Sequence, residues 1–266
     1  MLGSIIGDIV GSIYEFHNIK TREFPLFSDG CGYTDDSILT IATAKWILED
    51  GNRDHSGNYY FRYAFNYPSP MGGYGDGFLE WVHRAEDGDF SPYSSCGNGS
   101  AMRVGPVGWA FATKEDVLLQ AKHSAKATHN HPEGIKGAQA IALSIFLARQ
   151  GANKEEIRHT ITSEFGYNLN FTCDEIRDSY GRGAICQNTV PQAIVSFLDG
   201  KDFEDCIRNA ISIGGDSDTL GCITGSIAEA YYGIPKELYE KGFAYLTLHF
   251  KDVVKEFEEK YGNKVI

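Results

Sequence analysis

The chain has 266 residues and a mass of 29.4 kDa, and hydrophobic residues make up 42% of it, which predicts a single domain over residues 1–266. Its net charge of −12 argues against a partner such as a nucleic-acid duplex, because duplex-binding surfaces use lysine and arginine to neutralise phosphates. No uncharged run is long enough to span a membrane, and six cysteines without a C-x-x-C pair predict reduced thiols in a cytoplasmic protein.

The first predicted element is the segment Gly7-Asp8-Ile9-Val10-Gly11-Ser12-Ile13-Tyr14-Glu15, in which small residues recur at helical spacing. Glycines on a helix face allow close packing against another helix, and this packing alone would explain them. Glu15 follows Asp8 by two helical turns, which makes it a candidate metal ligand or general acid/base. The apolar start of the chain lacks a basic region and contains Asp8, so it does not resemble a signal peptide.

A cluster of hydroxyl and carboxylate side chains, Tyr33-Thr34-Asp35-Asp36-Ser37, stands before a helix predicted over Ser37 to Asp50. One such oxygen is enough to cap a helix, so an ordinary N-cap is one interpretation of the motif. Two adjacent carboxylates, however, repel each other unless a positive charge lies between them. Hard cations prefer oxygen ligands, so a metal site is the other interpretation.

From His55 to Gly99 the chain becomes rich in glycine, proline, asparagine and aromatic residues, which crowd into 67–77 and again into 97–99. This composition predicts long loops. Long loops within a domain of this size are usually functional, so the region is a candidate ligand-binding surface.

Helical signals dominate the second half of the chain, where alternating β-branched runs are scarce. Three segments resemble capping boxes, and they are Thr113 to Asp116, Asn153 to Glu156 and Thr172 to Glu175. Pro132 suits the first position of a helix that Gly151 can end. Further helices are predicted over Thr189 to Asp199, Asp202 to Ile213 and Leu220 to Tyr232. The predicted fold class is therefore all-α.

A second acidic cluster, Gly214-Gly215-Asp216-Ser217-Asp218-Thr219-Leu220, leads into the last of these helices. Its glycines permit a sharp turn, so that Asp216, Asp218 and Thr219 can converge on one point. An N-cap is again the simpler interpretation. Two such clusters at helix starts, far apart in sequence, are best explained if the fold brings them together around shared ions.

The pair His129 and His131 raises the question of a zinc site. No cysteine or further histidine lies at a recognised zinc-ligand spacing, and a lone histidine near a helix start is most often structural. The oxygen-rich set of Asp, Thr and Glu side chains points instead to Mg²⁺ or Mn²⁺.

Taken together, these motifs resemble the ADP-ribosylglycohydrolase family, whose members remove ADP-ribose from proteins and small molecules. The resemblance covers nearly the whole chain. The matching segments are Gly7-Asp8-x-x-Gly11-Ser12-x-x-Glu15, Tyr33-Thr34-Asp35-Asp36, Gly73-Tyr74-Gly75-Asp76-Gly77, Gly97-Asn98-Gly99-Ser100-Ala101-Met102-Arg103, Thr128-His129 and Gly215-Asp216-Ser217-Asp218-Thr219. Their number and order make the match specific.

The resemblance implies a compact orthogonal bundle of helices that binds two Mg²⁺ or Mn²⁺ ions. The implied metal ligands are Thr34, Asp35, Asp36, Asp216, Asp218 and Thr219, with Glu15 beside them. The implied ADP-ribose site uses backbone N–H groups to hold the diphosphate and ribose, and its residues are Gly75, Gly77, Ser95, Gly97, Asn98, Gly99 and His129.

The implied activity is hydrolysis of an ADP-ribosyl bond on a modified protein or a small molecule. The ions would bind the ribose hydroxyls and orient a water, and Glu15 or Asp35 would handle the proton. Two alternatives stay open, a metal-dependent nucleotide phosphohydrolase and a non-catalytic, crystallin-like family member. Some members that act on ADP-ribosyl-arginine have an acid where this chain has Ser95, so arginine, serine and small-molecule linkages all stay open, as does the oligomeric state.

Overall fold

The computed structural model describes residues 1–51, 54–181, 183–262 and 265–266. Within these ranges the chain is mostly helical and forms only isolated β-bridges, which confirms the all-α prediction. Its helices are α1 (Leu2–Gly11), α2 (Asp35–Asp50), α3 (Ser56–Asn66), α4 (Asp76–Glu86), α5 (Gly99–Met102), α6 (Gly105–Ala110), α7 (Lys114–Lys126), α8 (Pro132–Arg149), α9 (Lys154–Phe165), α10 (Cys173–Ile176), α11 (Cys186–Asp199), α12 (Phe203–Ser212), α13 (Ser217–Tyr232), α14 (Lys236–Ala244) and α15 (Leu248–Tyr261). None of the described helices is long and apolar enough to cross a membrane.

Helix α13 lies at the centre of the fold. Every residue from Ser217 to Ala230 is buried, and helices α1, α2, α5, α6, α8, α11 and α12 all contact this helix. A helix buried on all sides must present apolar or small residues around its whole circumference. The run of glycine, serine, threonine, alanine and isoleucine in α13 meets that requirement.

Helices α1 and α13 pack backbone to backbone. A Cβ atom on Gly7 would lie 1.9 Å from the carbonyl oxygen of Gly221, and one on Gly3 would lie 2.4 Å from that of Gly225. The prediction that the small residues of the first segment serve close packing is therefore confirmed. Because the two helices run antiparallel, the end of α1 reaches the start of α13, where Gly11 lies against Ser217.

Asp8 brings the start of α2 to the same place. Its buried carboxylate accepts hydrogen bonds from the backbone N–H groups of Thr34 (2.9 Å) and Ser37 (3.1 Å) and from the hydroxyls of both residues. The first N–H groups of a helix have no intrahelical acceptor, so a carboxylate at this position stabilises the helix start. Helix α1 thus holds the N-termini of α2 and α13 side by side.

The predicted helix signals of the second half are found in the structure. Asn153 and Thr172 form full capping boxes at the starts of α9 and α10, and Thr113 caps α7. Pro132 is the first residue of α8, and Gly151, just beyond its end, has a φ of +88°. Helices α2, α11 and α13 begin a few residues earlier than predicted. The earlier starts place Asp35 and Asp36 in the first turn of α2, and Asp216 and Asp218 at the N-cap and in the first turn of α13.

The region from His55 to Gly99 contains more helix than its composition indicated. Helices α3 and α4 lie within it, so the prediction of long loops is wrong for those residues and holds for 67–75 and 87–98. The aromatic residues that made the region unusual give α3 a buried face formed by Tyr59, Tyr60 and Tyr63.

Candidate active site

The N-termini of α2 and α13 open onto a cavity of about 470 Å³. One end of the cavity is acidic, and it is lined by Glu15, Asp35, Asp36, Asp216 and Asp218. The rest of the lining is mostly glycines and aromatic residues, with the acid Asp76 among them, and it consists of Gly72 to Gly77, Phe78, Tyr93, Ser95, Gly97 to Gly99 and His129. Gly72 and Asn98 lie directly beside the acids. Every predicted site residue except Thr34 lines this cavity, with Thr219 at the acidic end.

Three of the acids converge closely. One carboxylate oxygen from each of Glu15, Asp216 and Asp218 lies within 4.8 Å of the others. Hard cations such as Mg²⁺ bind carboxylate oxygens, so oxygens at this spacing are suited to sharing one ion. The two predicted acidic clusters are also joined directly, because the hydroxyl of Thr219 donates to Asp36 Oδ2 at 3.2 Å.

The other oxygen of Asp36 is buried without a hydrogen-bond donor among the described residues. Buried polar atoms are almost always paired, and an unpaired carboxylate oxygen is costly. Oδ1 of Asp36 therefore fits a cation as its missing partner.

Burial raises the pKa of the carboxyl groups of Asp35, Asp36 and Asp218 well above its usual range. Neighbouring carboxylates, Asp8 and Asp216 among them, raise these pKa values further. Without a compensating positive charge, burial and mutual repulsion therefore disfavour the ionised form of all three groups. A donor set of this kind suits a divalent cation, which supplies that charge.

Thr34 lies behind the cavity, at the N-cap of α2. Its hydroxyl donates to Asp8 Oδ1 at 2.7 Å and accepts from the backbone N–H of Asp36 at 3.2 Å. The N-cap interpretation therefore describes Thr34, and its side-chain oxygen is the least available of the predicted metal ligands. Asp35 and Asp36 follow in the first turn, so different residues of one motif cap the helix and line the site.

Asn98, predicted to contact substrate, also orients one of the acids. Its Nδ2 donates to Asp216 Oδ2 at 2.7 Å and to Thr189 Oγ1 at 3.2 Å. The amide thereby fixes the direction in which the Asp216 carboxylate faces.

Two backbone groups of the 97–99 segment already have acceptors inside the protein. The N–H of Gly97 donates to Ser95 Oγ at 3.0 Å, and that of Asn98 donates to the carbonyl of Ala184 at 3.0 Å. These two N–H groups are thus not free for a diphosphate in this arrangement, whereas Gly99 opens helix α5 and has no such partner within the described residues.

The glycine loop at 72–77 leads into helix α4. Gly72 and Gly73 have φ values of +77° and +84°, a conformation that favours glycine. Gly75 is the N-cap of α4 and Gly77 lies in its first turn. Within that turn the N–H of Phe78 donates to the carbonyl of Gly75 at 2.9 Å, whereas the N–H groups of Asp76 and Gly77 have no such partner among the described residues. These two N–H groups lie at the positive end of the helix dipole, so they suit a phosphate.

Asn18 is a structural part of the site that sequence reasoning missed. Its Nδ2 donates to the carbonyls of Gly215 (2.8 Å) and Tyr14 (2.7 Å), and its Oδ1 accepts from the N–H of Gly215 at 2.8 Å. It therefore ties the segment bearing Glu15 to the turn bearing Asp216. No local motif marks this residue, because its partner is far away in sequence.

Comparison with known proteins agrees with this architecture. The sequence profile of the ADP-ribosylglycohydrolase family matches residues 1–261. The chain belongs to the ADP-ribosylglycohydrolase family, which is a family of hydrolases. A solved structure described as an ADP-ribosylglycohydrolase-related protein complex superposes with a TM-score of 0.74 at 24% identity, covering 98% of this chain and 95% of that one, which shows the same fold.

Among individual proteins, the chain is similar to the ADP-ribosylhydrolase ARH3 of Danio rerio, with 27% identity over 88% of this chain and 82% of that protein. Its similarity to ARH3 of Homo sapiens is 26% identity over 88% and 84%. The ADP-ribosylarginine hydrolase Tri1 of Pseudomonas putida (strain GB-1) is 26% identical over 91% of this chain and 72% of its own length.

Proposed function

We propose that the protein is a metal-dependent hydrolase that cleaves an ADP-ribosyl glycosidic bond and releases ADP-ribose from a modified protein or small molecule. The observation that carries this proposal is the convergence of acids from three separate segments at one end of a cavity whose remaining lining is rich in glycines and aromatic residues. Relatives named as ADP-ribosylhydrolases support the choice of substrate class.

Two Mg²⁺ or Mn²⁺ ions are the cofactors that suit this set of oxygen donors. The residues that would hold them are Glu15, Asp35, Asp36, Asp216, Asp218 and Thr219. Ions held there would act as Lewis acids, which would stabilise negative charge on bound oxygen atoms and help to orient substrate and water.

Glu15 and Asp35 are the candidate general acid/base groups, because both carboxylates line the cavity. The chain passes close beside Glu15 at the glycine loop, where a Cβ atom on Gly72 would lie 2.9 Å from Glu15 Oε2. A group of this kind takes a proton from the attacking water or gives one to the leaving group, and contributes about 10² to 10⁴ in rate.

The diphosphate of ADP-ribose is best placed at the first turn of α4, where N–H groups and the helix dipole attract negative charge. The first turn of α4 lies outside the cluster of Glu15, Asp35, Asp36, Asp216 and Asp218, although it carries the carboxyl group of Asp76, which also lines the cavity. The ribose to be cleaved would then reach towards the acidic end, close to Glu15 and Asp35.

The two alternative functions explain less of the site. A non-catalytic, crystallin-like protein would gain nothing from several buried carboxylates that repel one another. A nucleotide phosphohydrolase would use the same ions on a phosphoryl group, and it differs from the proposal in its products.

The proposal is tested with a panel of ADP-ribosylated substrates carrying arginine, serine and small-molecule linkages, each incubated with the protein and Mg²⁺ or Mn²⁺. Chromatography with mass detection should show free ADP-ribose with an intact diphosphate from at least one linkage. Release of phosphate or AMP instead would favour the phosphohydrolase, and no product from any substrate would favour the non-catalytic alternative.

A further inference from the structure

Arg103 is a fully buried cation among the residues that line the cavity. Its Nη2 donates to the hydroxyl of Thr128 at 2.8 Å and to the carbonyl of Ser124 at 2.9 Å, and its guanidinium carbon lies 3.9 Å from the centre of the Tyr60 ring. Among the described residues it forms no ion pair, and its Nε and Nη1 have no hydrogen-bond partner. A buried charge without a carboxylate is costly, so a specific reason is needed for its presence.

The hydrogen bond that Arg103 donates to Thr128 determines which atom donates in the hydrogen bond between Thr128 and His129. Arginine can only donate, so the Thr128 oxygen accepts from it. The Thr128 side chain is fully buried, and the remaining polar atom bonded to its hydroxyl is Nδ1 of His129, at 2.7 Å. A buried hydroxyl proton needs an acceptor, and therefore Thr128 donates to Nδ1. An Nδ1 that accepts carries no proton, which leaves the proton of the neutral ring on Nε2.

The ring of His129 is kept neutral by its surroundings. Burial, and after it the positive charge of Arg103, holds the pKa of His129 well below its usual range. The Nε2 edge lies against the glycine segment, where Cβ atoms on Gly97 and Gly99 would come within 3.4 Å and 3.1 Å of Nε2. No described residue accepts a hydrogen bond from Nε2, although His129 lines the cavity.

We propose that Arg103 and Thr128 are positioning residues that fix His129 as the Nε2–H tautomer, and that this N–H donates to an oxygen of the bound ligand. A neutral ring that already carries its proton on Nε2 can donate to a phosphate or ribose oxygen without first taking up a proton. If Thr128 lost its hydroxyl, the ring could carry its proton on Nδ1, and an Nε2 lone pair would then face the ligand oxygen and repel it. The inference rests on the proposed function only for the identity of the ligand, ADP-ribose.

The first test is the tautomer itself, in the ligand-free protein. Long-range ¹H–¹⁵N correlation spectra of histidine-labelled protein distinguish a protonated Nε2 from a protonated Nδ1, and a His129→Gln variant assigns the signal. The expected spectrum shows a protonated Nε2 and an unprotonated Nδ1 for His129. A protonated Nδ1 would overturn the inference, whether or not the protein hydrolyses any ADP-ribosyl compound.

The second test is binding of ADP-ribose to Thr128→Val and Thr128→Ser, two variants that differ in the hydroxyl. The valine variant should show mixed tautomers and an ADP-ribose Kd raised by about 5- to 30-fold, the size expected for one or two lost hydrogen bonds. The serine variant should restore both the tautomer and the affinity. With a substrate of the enzyme, the valine variant should raise KM and leave kcat within about 3-fold, because the acidic end is untouched.

An unchanged Kd in a Thr128→Val protein that does show mixed tautomers would overturn the role assigned to the N–H. If that variant fails to fold, the serine variant and the spectrum of the parent protein still decide the tautomer. A protonated Nε2 in a protein that releases no ADP-ribose would uphold the inference about His129 and refute the proposed function.

Discussion

At the scale of single residues, the site is a set of buried acids that repel one another. Asp36 and Asp218 each sit within reach of several other carboxylates, and burial itself already disfavours their ionised forms. Local structure that works against stability in this way is typical of functional sites. The metal-free protein therefore holds an electrostatic strain that bound cations would relieve.

Replacing Asp218 by Asn should stabilise the metal-free protein and remove its response to metal. The amide keeps an oxygen for the N–H of Thr219, which donates to Asp218 at 2.9 Å, but carries no charge. If removing the charge of Asp218 stabilises the folded protein by about 1 kcal/mol, the midpoint of thermal unfolding should rise by roughly 2–4 °C. Mn²⁺ should raise the midpoint of the parent protein but not that of the variant, and turnover should fall by at least about 100-fold.

Asp252→Asn is the matched control for this substitution, because Asp252 is exposed on α15. It should respond to Mn²⁺ as the parent does. If Asp218→Asn kept both the metal response and full turnover, Asp218 would not be a metal ligand.

Residue chemistry drew attention to the acids that line the cavity, but not to the residues that hold them in place. Adjacent carboxylates at helix starts are unusual within a short stretch of sequence, so Asp35, Asp36, Asp216 and Asp218 stood out. Asn18 did not, because an asparagine acquires its role only when the fold brings Gly215 beside it. Arg103, Thr128 and His129 all lie in segments that carry the family resemblance, and His129 was predicted to contact ADP-ribose, but the hydrogen bonds that join the three depend on tertiary packing.

At the scale of helices, α1 aligns the whole site. Its glycines let α13 approach to backbone contact, and its Asp8 anchors the start of α2. The positions of both acidic clusters therefore depend on the spacing between α1 and α13.

Replacing Gly7 by Ala should destabilise the protein severely, because the new methyl group would lie 1.9 Å from the carbonyl oxygen of Gly221 and neither backbone can yield locally. We expect a loss of about 3 kcal/mol or more in the free energy of unfolding, measured by urea denaturation. Gly57→Ala provides the control, since its Cβ would meet nothing closer than 3.6 Å and alanine is the better helix former. Equal stability of the two variants would contradict the packing described for α1 and α13.

Helix prediction succeeded where signals are local and failed where they are not. The capping boxes at Asn153 and Thr172 each span only four residues of sequence, and helices α9 and α10 begin where these boxes predict. Helices α3 and α4 were not predicted, because the glycine-rich loops beside them dominate the local composition. The aromatic residues of α3 form a buried face, which is apparent only once the helix is packed against the core. The prediction of one domain over residues 1–266 and of a cytoplasmic location rests on composition alone.

At the scale of the whole molecule, the apolar core and the acidic cluster occupy different regions of the fold. The apolar core is continuous through α1, α2, α8, α11 and α13, whereas the acids are gathered at the cavity. A net charge of −12 also means that only local groups, and not the overall field, can attract an anionic substrate.

Chelation should therefore abolish activity without unfolding the protein. During an EDTA titration at 25 °C, turnover should fall to background while the far-UV circular dichroism signal stays constant. Addition of Mg²⁺ or Mn²⁺ should then restore turnover. A parallel loss of ellipticity and activity would instead show that the metal is needed for the fold.

The central claim, that water attacks the ribose carbon of an ADP-ribosyl bond, is tested most directly by isotope transfer. Hydrolysis of a cleavable ADP-ribosyl substrate in H₂¹⁸O with Mg²⁺ or Mn²⁺, stopped early and analysed by mass spectrometry, reports which bond took up the solvent oxygen. We predict one ¹⁸O in the ribose that was cleaved, none in the phosphates and none in the released acceptor, above the exchange measured for free ADP-ribose over the same time. Label in a phosphate group or in the acceptor would contradict the account.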